Sequence, residues 1–145
     1  MTISVRLAHA KPDVENCLRL RWTVFVEEQN VPPSLEVDAW DRDPKTVHAL
    51  GFHGAIPAAT GRVIFPGGGV AKIGRMAVID DVRGRGLGLA VLKFLESEAK
   101  QRGASSVTLG AQLQARPFYE KQGYTAFGDV FDDAGIPHVE MRKSL

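Results

Sequence analysis

The first apolar positions of the chain, Ile3, Val5 and Leu7, alternate with polar neighbours, which is the two-residue period of a half-buried strand. Lys11-Pro12-Asp13 interrupts that period and a helix should follow. Val14, Cys17, Leu18, Trp22 and Phe25 recur at steps of three and four, and Asp13 stands where a side chain can cap the free amides of a first turn. The stripe fades near Gln29. From Asn30 to Pro44 the prolines at 32, 33 and 44 speak against regular structure, and a loop of that length usually has a functional reason. Thr46 to Phe52 and Ala58 to Phe65 then read as two strands joined through His53-Gly54, and Gly67-Gly68-Gly69 makes the turn into a longer strand, Val70 to Ile79.

Asp80-Asp81 ends that strand, and Arg83-Gly84-Arg85-Gly86-Leu87-Gly88 opens a helix. This helix carries Leu89, Leu92, Leu95 and Ala99 on one face, with Lys100 and Arg102 near its negative end and Gly103 as its stop. Ser106 to Ala111 is a short strand. A helix from Ala115 to Gln122 tolerates Pro117 in its first turn, where amides lack intrahelical partners, and ends at Gly123. Tyr124 to Phe127 and His138 to Arg142 complete the strands, with a turn-rich Asp132 to Pro137 between them. The order is β, α, three strands, then α, β, α, β, β. No repeat or linker interrupts it, so an α/β chain with a single domain over residues 1–145 is expected.

The length of 145 residues suits one domain, and 44% hydrophobic with 24% charged residues is a globular composition. Lys and Arg number 18 against 17 Asp and Glu, so no global field favours nucleic acid or an anionic membrane, and any phosphate binding must be local. Cys17 is the only cysteine, which excludes an internal disulfide and multi-cysteine metal sites. Histidines 9, 48, 53 and 138 contain no helical i, i+4 pair, so no metal is expected. No apolar stretch reads as a signal peptide or membrane helix, and a cytoplasmic location is expected.

Charge is unevenly spread. Glu27 to Asp43 holds six acids and one base, whereas Lys72 to Arg102 holds seven bases and four acids. Either the acidic segment is a solvated loop, or it draws a cationic amine while the basic half draws an anionic ligand. Trp22 and Phe25 fit the core stripe of the first helix; Trp40, flanked by acids, is either a packing anchor or a substrate wall. His138 follows Gly-Ile-Pro and faces opposite Val139 and Met141, which suits a hydrogen-bonded strand histidine or a base.

A strand that runs through Arg83 to Gly88 into a helix presents backbone N–H groups at a positive helix end, and the glycines let an anion approach them. Leu87 and Gly88 after Gly86 exclude a Walker loop, and Leu89 in place of a third glycine disfavours a dinucleotide fingerprint. The segment Arg83, Gly86 and Gly88 after Arg75-Met76-Ala77-Val78 resembles the acetyl-coenzyme A motif of the GCN5-related N-acetyltransferase (GNAT) superfamily. Downstream, Ala115, Phe118, Tyr119, Lys121 and Gly123 match a second motif of that family, with Gln112 for its asparagine and Tyr124 for its phenylalanine. Arg21 to Gln29 and Gly135-Ile136-Pro137-His138 are similar to its ElaA and YjcF branch.

The resemblance implies a mixed, mostly antiparallel sheet splayed between the strands at 70–79 and 106–111. Acetyl-coenzyme A would lie in the splay, its pantetheine arm on Met76, Ala77 and Val78 and its pyrophosphate on Arg83, Gly84, Arg85, Gly86, Leu87 and Gly88, with Gln112 and Phe118 alongside. Tyr119 would be the general acid and Glu28 or His138 the base in direct acetyl transfer to a small or peptidyl primary amine. A non-catalytic acyl-coenzyme A sensor and an acyl-homoserine-lactone-synthase-like acyltransferase are the alternatives. A homodimer is compatible with all three.

Overall fold

The computed structural model describes residues 2–145. Strand β1 (Ile3–Ala8) leads to helix α1 (Lys11–Arg21), which continues as a π-helical segment, Trp22–Glu28. A short helix α2 (Pro33–Glu36) and a 3-10 turn, Ala39–Arg42, precede the meander β2 (Val47–His53), β3 (Ile56–Gly67) and β4 (Val70–Val78). Helix α3 (Leu87–Gln101), β5 (Ser106–Gln112), helix α4 (Arg116–Lys121), β6 (Thr125–Asp133) and β7 (Ile136–Ser144) complete the chain.

The seven strands form one sheet in the order β1-β2-β3-β4-β5-β7-β6. The β4–β5 pair is parallel and the others are antiparallel. The expected α/β class and mixed sheet are therefore what the chain adopts. Alternation along β2 puts the two main helices on opposite faces. Val47 and Ala49 belong to the core with Val91, Leu92 and Leu95 of α3, while Leu50 packs with Cys17 and Leu20 of α1.

Three sequence expectations about residues 11–44 change. Asp13 does not cap α1: the helix opens at Lys11, so Asp13 lies inside its first turn and accepts from Arg6 Nε and Nη2 at 2.9 Å each. Trp22 leaves the core stripe and is 45% exposed. Gln29 N donates to Val24 O five residues back in the wider winding, and the buried positions run Cys17, Leu20, Arg21 and Val24, a three-and-four stripe that leaves Trp22 outside it. The segment 30–44 is also more regular than its prolines suggest. Pro33 starts α2, where its missing N–H costs nothing, and Asp38 caps the 3-10 turn by accepting from Trp40 N while Asp41 accepts from Asp38 N.

Candidate active site

The β4–β5 ladder holds only from Val70↔Ser106 to Lys72↔Thr108. Beyond it β4 runs on to Val78 and β5 to Gln112 without pairing, which is the splay the motifs imply. On its other edge β4 remains hydrogen-bonded to β3, with Ile79 N donating to Ala58 O at 3.0 Å. Strand alternation then turns the backbone groups of Val78 and Met76 to the open edge. Those of Ala77 face β3, and its side chain is buried. One extra residue on β4 opposite Thr60–Arg62 makes a bulge, where Arg75 takes φ 55°.

The open edge leads to the glycine turn. Gly84 and Gly86 have φ of 78° and 87°, a region that favours glycine, and α3 starts without a side-chain cap. A Cβ on Gly84 would meet nothing within 4 Å, and one on Gly86 would reach Ile3 Cδ1 only at 3.9 Å, so the space over these amides is open. The free amides of the first turn and the helix dipole suit a phosphate. An unpaired strand edge that ends at an open, uncapped helix N-terminus fits the amides and pyrophosphate of a coenzyme A molecule.

Beside the splay lies a cavity of about 400 Å³. Phe25, Trp40, Met76, Tyr119, Phe131 and His138 contribute to its wall. Trp40 thus faces a cavity that a ligand can fill. Residues 47–145 match the family model described as the acetyltransferase (GNAT) domain. The uncharacterized N-acetyltransferase YjcF of Bacillus subtilis (strain 168) is 37% identical over 138 residues, which cover 94% of this chain and 96% of that protein. The chain belongs to the GNAT acetyltransferase family. A putative N-acetyltransferase from Lactobacillus plantarum has the same fold at a TM-score of 0.89 and 28% identity, covering 100% of this chain and 99% of that one. Escherichia coli ElaA follows at 0.87 and 26% identity, with coverage of 98% and 99%.

Within this GNAT chain Tyr119 is 8% exposed, stacks edge-on against Phe118 and Tyr124, and has its phenol pKa pushed up to about 12 by burial. Phe118 packs against the core beneath it and takes no part in the cavity wall. Gln112 lines the cavity, where its amide donates to Gln29 Oε1 at 2.9 Å. His138 is also 8% exposed. Its Nδ1 lies 2.7 Å from Ile136 O, an oxygen that can only accept, so this nitrogen carries a proton and the neutral ring keeps its lone pair on Nε2.

Glu28 stands apart from the cavity wall. It accepts from Arg83 Nη1 and Nη2 at 2.7 Å each, and these bonds hold its carboxyl below the usual range. Arg83 Nε meanwhile donates to Val78 O at 2.8 Å, which ties the turn to the end of β4. The Arg85 side chain makes no ion pair among the described residues, and Leu87 is buried, leaving its amide as the part that can face a phosphate. Cys17 is fully buried, donates weakly to Ala49 O, and has its thiol pKa raised by burial.

Sequence reasoning missed a buried charge network beside the cavity. Arg21, only 1% exposed, donates through Nε to Glu36 and through Nη1 and Nη2 to Asp41. Arg62 donates to Asp38 and Asp41, and Arg75 to Glu36 O and Asp38. Burial opposes the charge of Asp41, but bonds from Arg21, the Asp38 amide and Arg62 outweigh it and hold its pKa well below the carboxylate range. The signal was present in Arg21 at the i+4 position from Cys17 and in Arg62 within an apolar strand. Three of the acids expected to draw an amine are spent on these arginines and a fourth on Arg83. Among the described residues no group of three or more His, Cys, Asp or Glu side chains gathers to hold a metal, and no helix is long and apolar enough to cross a membrane.

Proposed function

We propose that the chain transfers the acetyl group of acetyl-coenzyme A to a primary amine by direct attack within the cavity beside the splay. The observation that carries this is the continuity of one surface: the unpaired edge of β4 leads at one end to the open amides of α3 and passes Tyr119 and His138 in the cavity wall. When bound, acetyl-coenzyme A supplies an activated thioester. Backbone groups of Met76 and the amide of Val78 hold its pantetheine arm, and the amides from Gly84 to Gly88 hold its pyrophosphate.

His138 Nε2 takes a proton from the acceptor's ammonium, directly or through water, because an alkylammonium near pKa 10.4 cannot attack a carbonyl until it loses one. The neutral nitrogen forms the C–N bond as the C–S bond breaks, Tyr119 donates to the departing sulfur, and the proton that the new amide nitrogen sheds restores the phenol. Glu28, held ionised by Arg83, keeps the pyrophosphate turn in place rather than serving as base. Cys17 in the core cannot carry the acyl group. A cytoplasmic setting goes with acetyl-coenzyme A and an intracellular amine.

The test is incubation with acetyl-coenzyme A and a panel of primary amines, reading free thiol and the mass of the acetylated product. Amine-dependent thiol release matched one to one by N-acetyl product supports transfer. Tight coenzyme A binding with no amine-dependent release across the panel would support the sensor reading instead.

A further inference from the structure

Gly110 lies on β5 just past the last residue paired with β4, opposite Glu140 of β7. A Cβ built on it would lie 3.4 Å from Phe131 Cζ, 3.7 Å from Glu140 Oε1 and 3.9 Å from His138 Cδ2. Three side chains from β6 and β7 therefore converge over a residue that has none, and all line the cavity. The Phe131 and His138 rings lie 5.7 Å apart and tilted by 30°.

Half-buried Glu140 has no hydrogen bond or ion pair among the described residues, unlike Glu36 and Asp38 of the same cavity. The cations flanking it do not reach it. Arg142, two residues along the strand, lies over the Phe127 ring at 5.3 Å, and Lys72 makes no ion pair among the described residues. His138, nine-tenths buried, offers Nε2 to the same cavity without a protein partner. A carboxylate and an imidazole lone pair, both unpartnered and backed by an aromatic ring, are a receptor for a cation that donates hydrogen bonds.

We propose that Glu140, Phe131 and His138 form the acceptor's ammonium subsite, which selects cationic primary amines over neutral ones. This rests on the acetyl-transfer reading. Glu140 docks R–NH3⁺ by its charge, and Phe131 faces the carbon next to it. The ammonium passes one proton to His138 Nε2. The nitrogen lone pair then forms the C–N bond as the C–S electrons leave on sulfur, Tyr119 protonates the thiolate, and the second nitrogen proton restores the Tyr119 phenol. The products are the amide and free thiol, with the first proton released to water. Glu140 sets affinity for the cation and His138 the rate of proton removal.

Phenethylamine, a cation with an aromatic body, is the probe. Its binding to the protein saturated with coenzyme A is followed by NMR titration, and its turnover by thiol release, in the wild type, Glu140→Gln, Glu140→Asp and His138→Gln. The affinity of coenzyme A for each variant reports that the fold is intact. Glu140→Gln should weaken amine binding and raise its KM at least 10-fold with little change in kcat. Glu140→Asp should restore part of the binding, and His138→Gln should lower kcat. Equal amine affinity and KM in the wild type and a folded Glu140→Gln would overturn the subsite even if transfer proceeds. If the titration shows Glu140-dependent binding but no amine is acetylated, the subsite stands and the transfer reading falls.

Discussion

Tyr119 combines deep burial with a place in the cavity wall, and its pKa of about 12 keeps the phenol protonated throughout the neutral range. It therefore cannot be the group that titrates in a rate profile between pH 6 and 9, roughly where histidine ordinarily ionises. Because its pKa is raised above the unfolded value near 10, its contribution to stability is complete below about pH 10 and is lost as the pH rises toward 12. A coenzyme A thiolate is already a fair leaving group, so the donation proposed for the phenol would help modestly. Tyr119→Phe should lower kcat by about 10²-fold or less while coenzyme A affinity, measured by calorimetry, stays unchanged. Full turnover in this variant, with chemistry shown to be rate-limiting, would return Tyr119 to a packing role.

The charge network joins α1, α2, the 3-10 turn, β3 and β4 through side chains that cross between them. Removing one partner leaves a buried charge uncompensated. Asp41→Asn should destabilise the fold by about 3–5 kcal/mol in urea unfolding at pH 7, because buried Arg21 and Arg62 each lose a carboxylate. The folded pKa values of Asp38 and Asp41 lie below the unfolded value, so their stabilisation is present above about pH 4 and is lost as the pH falls further. The gap between wild type and variant should narrow over that acid range. A gap that is flat with pH would show that the carboxylates contribute by shape rather than charge.

The network also marks where the sequence was silent. Alternation placed β1 and three-and-four spacing placed α3, because each buries one face, whereas β2 and β3 are buried on both faces and were legible from their apolar runs and the glycine turns around them. These patterns could not show the π-helical winding of residues 22–28, nor that the stripe with polar Arg21 in it is the buried one and Trp22 lies outside it. Nor could they pair Arg21 with Glu36 and Asp41, which meet only in the folded chain. Strand β6 runs to Asp133 rather than Phe127; it is an edge strand with few buried residues and a register shift after Phe127, so it shows no alternation to read. His138 faces away from Val139 and Met141 as expected, yet that face is a cavity wall rather than solvent, since Phe131 and the splay enclose it. At the α3 end, Gly86→Val forces a branched residue to a φ of 87° over the proposed phosphate site. Coenzyme A affinity should collapse in calorimetry on a folded preparation, and unchanged affinity would remove the turn from the binding site.

Taken together, the molecule is a sheet held shut along β1 to β4 and along β5 to β6 through β7, but opened where its single parallel pair parts. Such an opening leaves backbone groups without partners, a cost that a bound chain of amides can recover. On the proposed function, activity and fold therefore meet at one place, the edge of β4 and the amides of α3. Amide hydrogen exchange with and without saturating acetyl-coenzyme A reads that place directly. Slowed exchange concentrated at Met76, Val78 and the amides from Gly84 to Leu89, with β1 and β2 unchanged, is the result expected. Binding of acetyl-coenzyme A that leaves those amides exchanging at their free rates would contradict the assignment of the splay as the acyl-donor site.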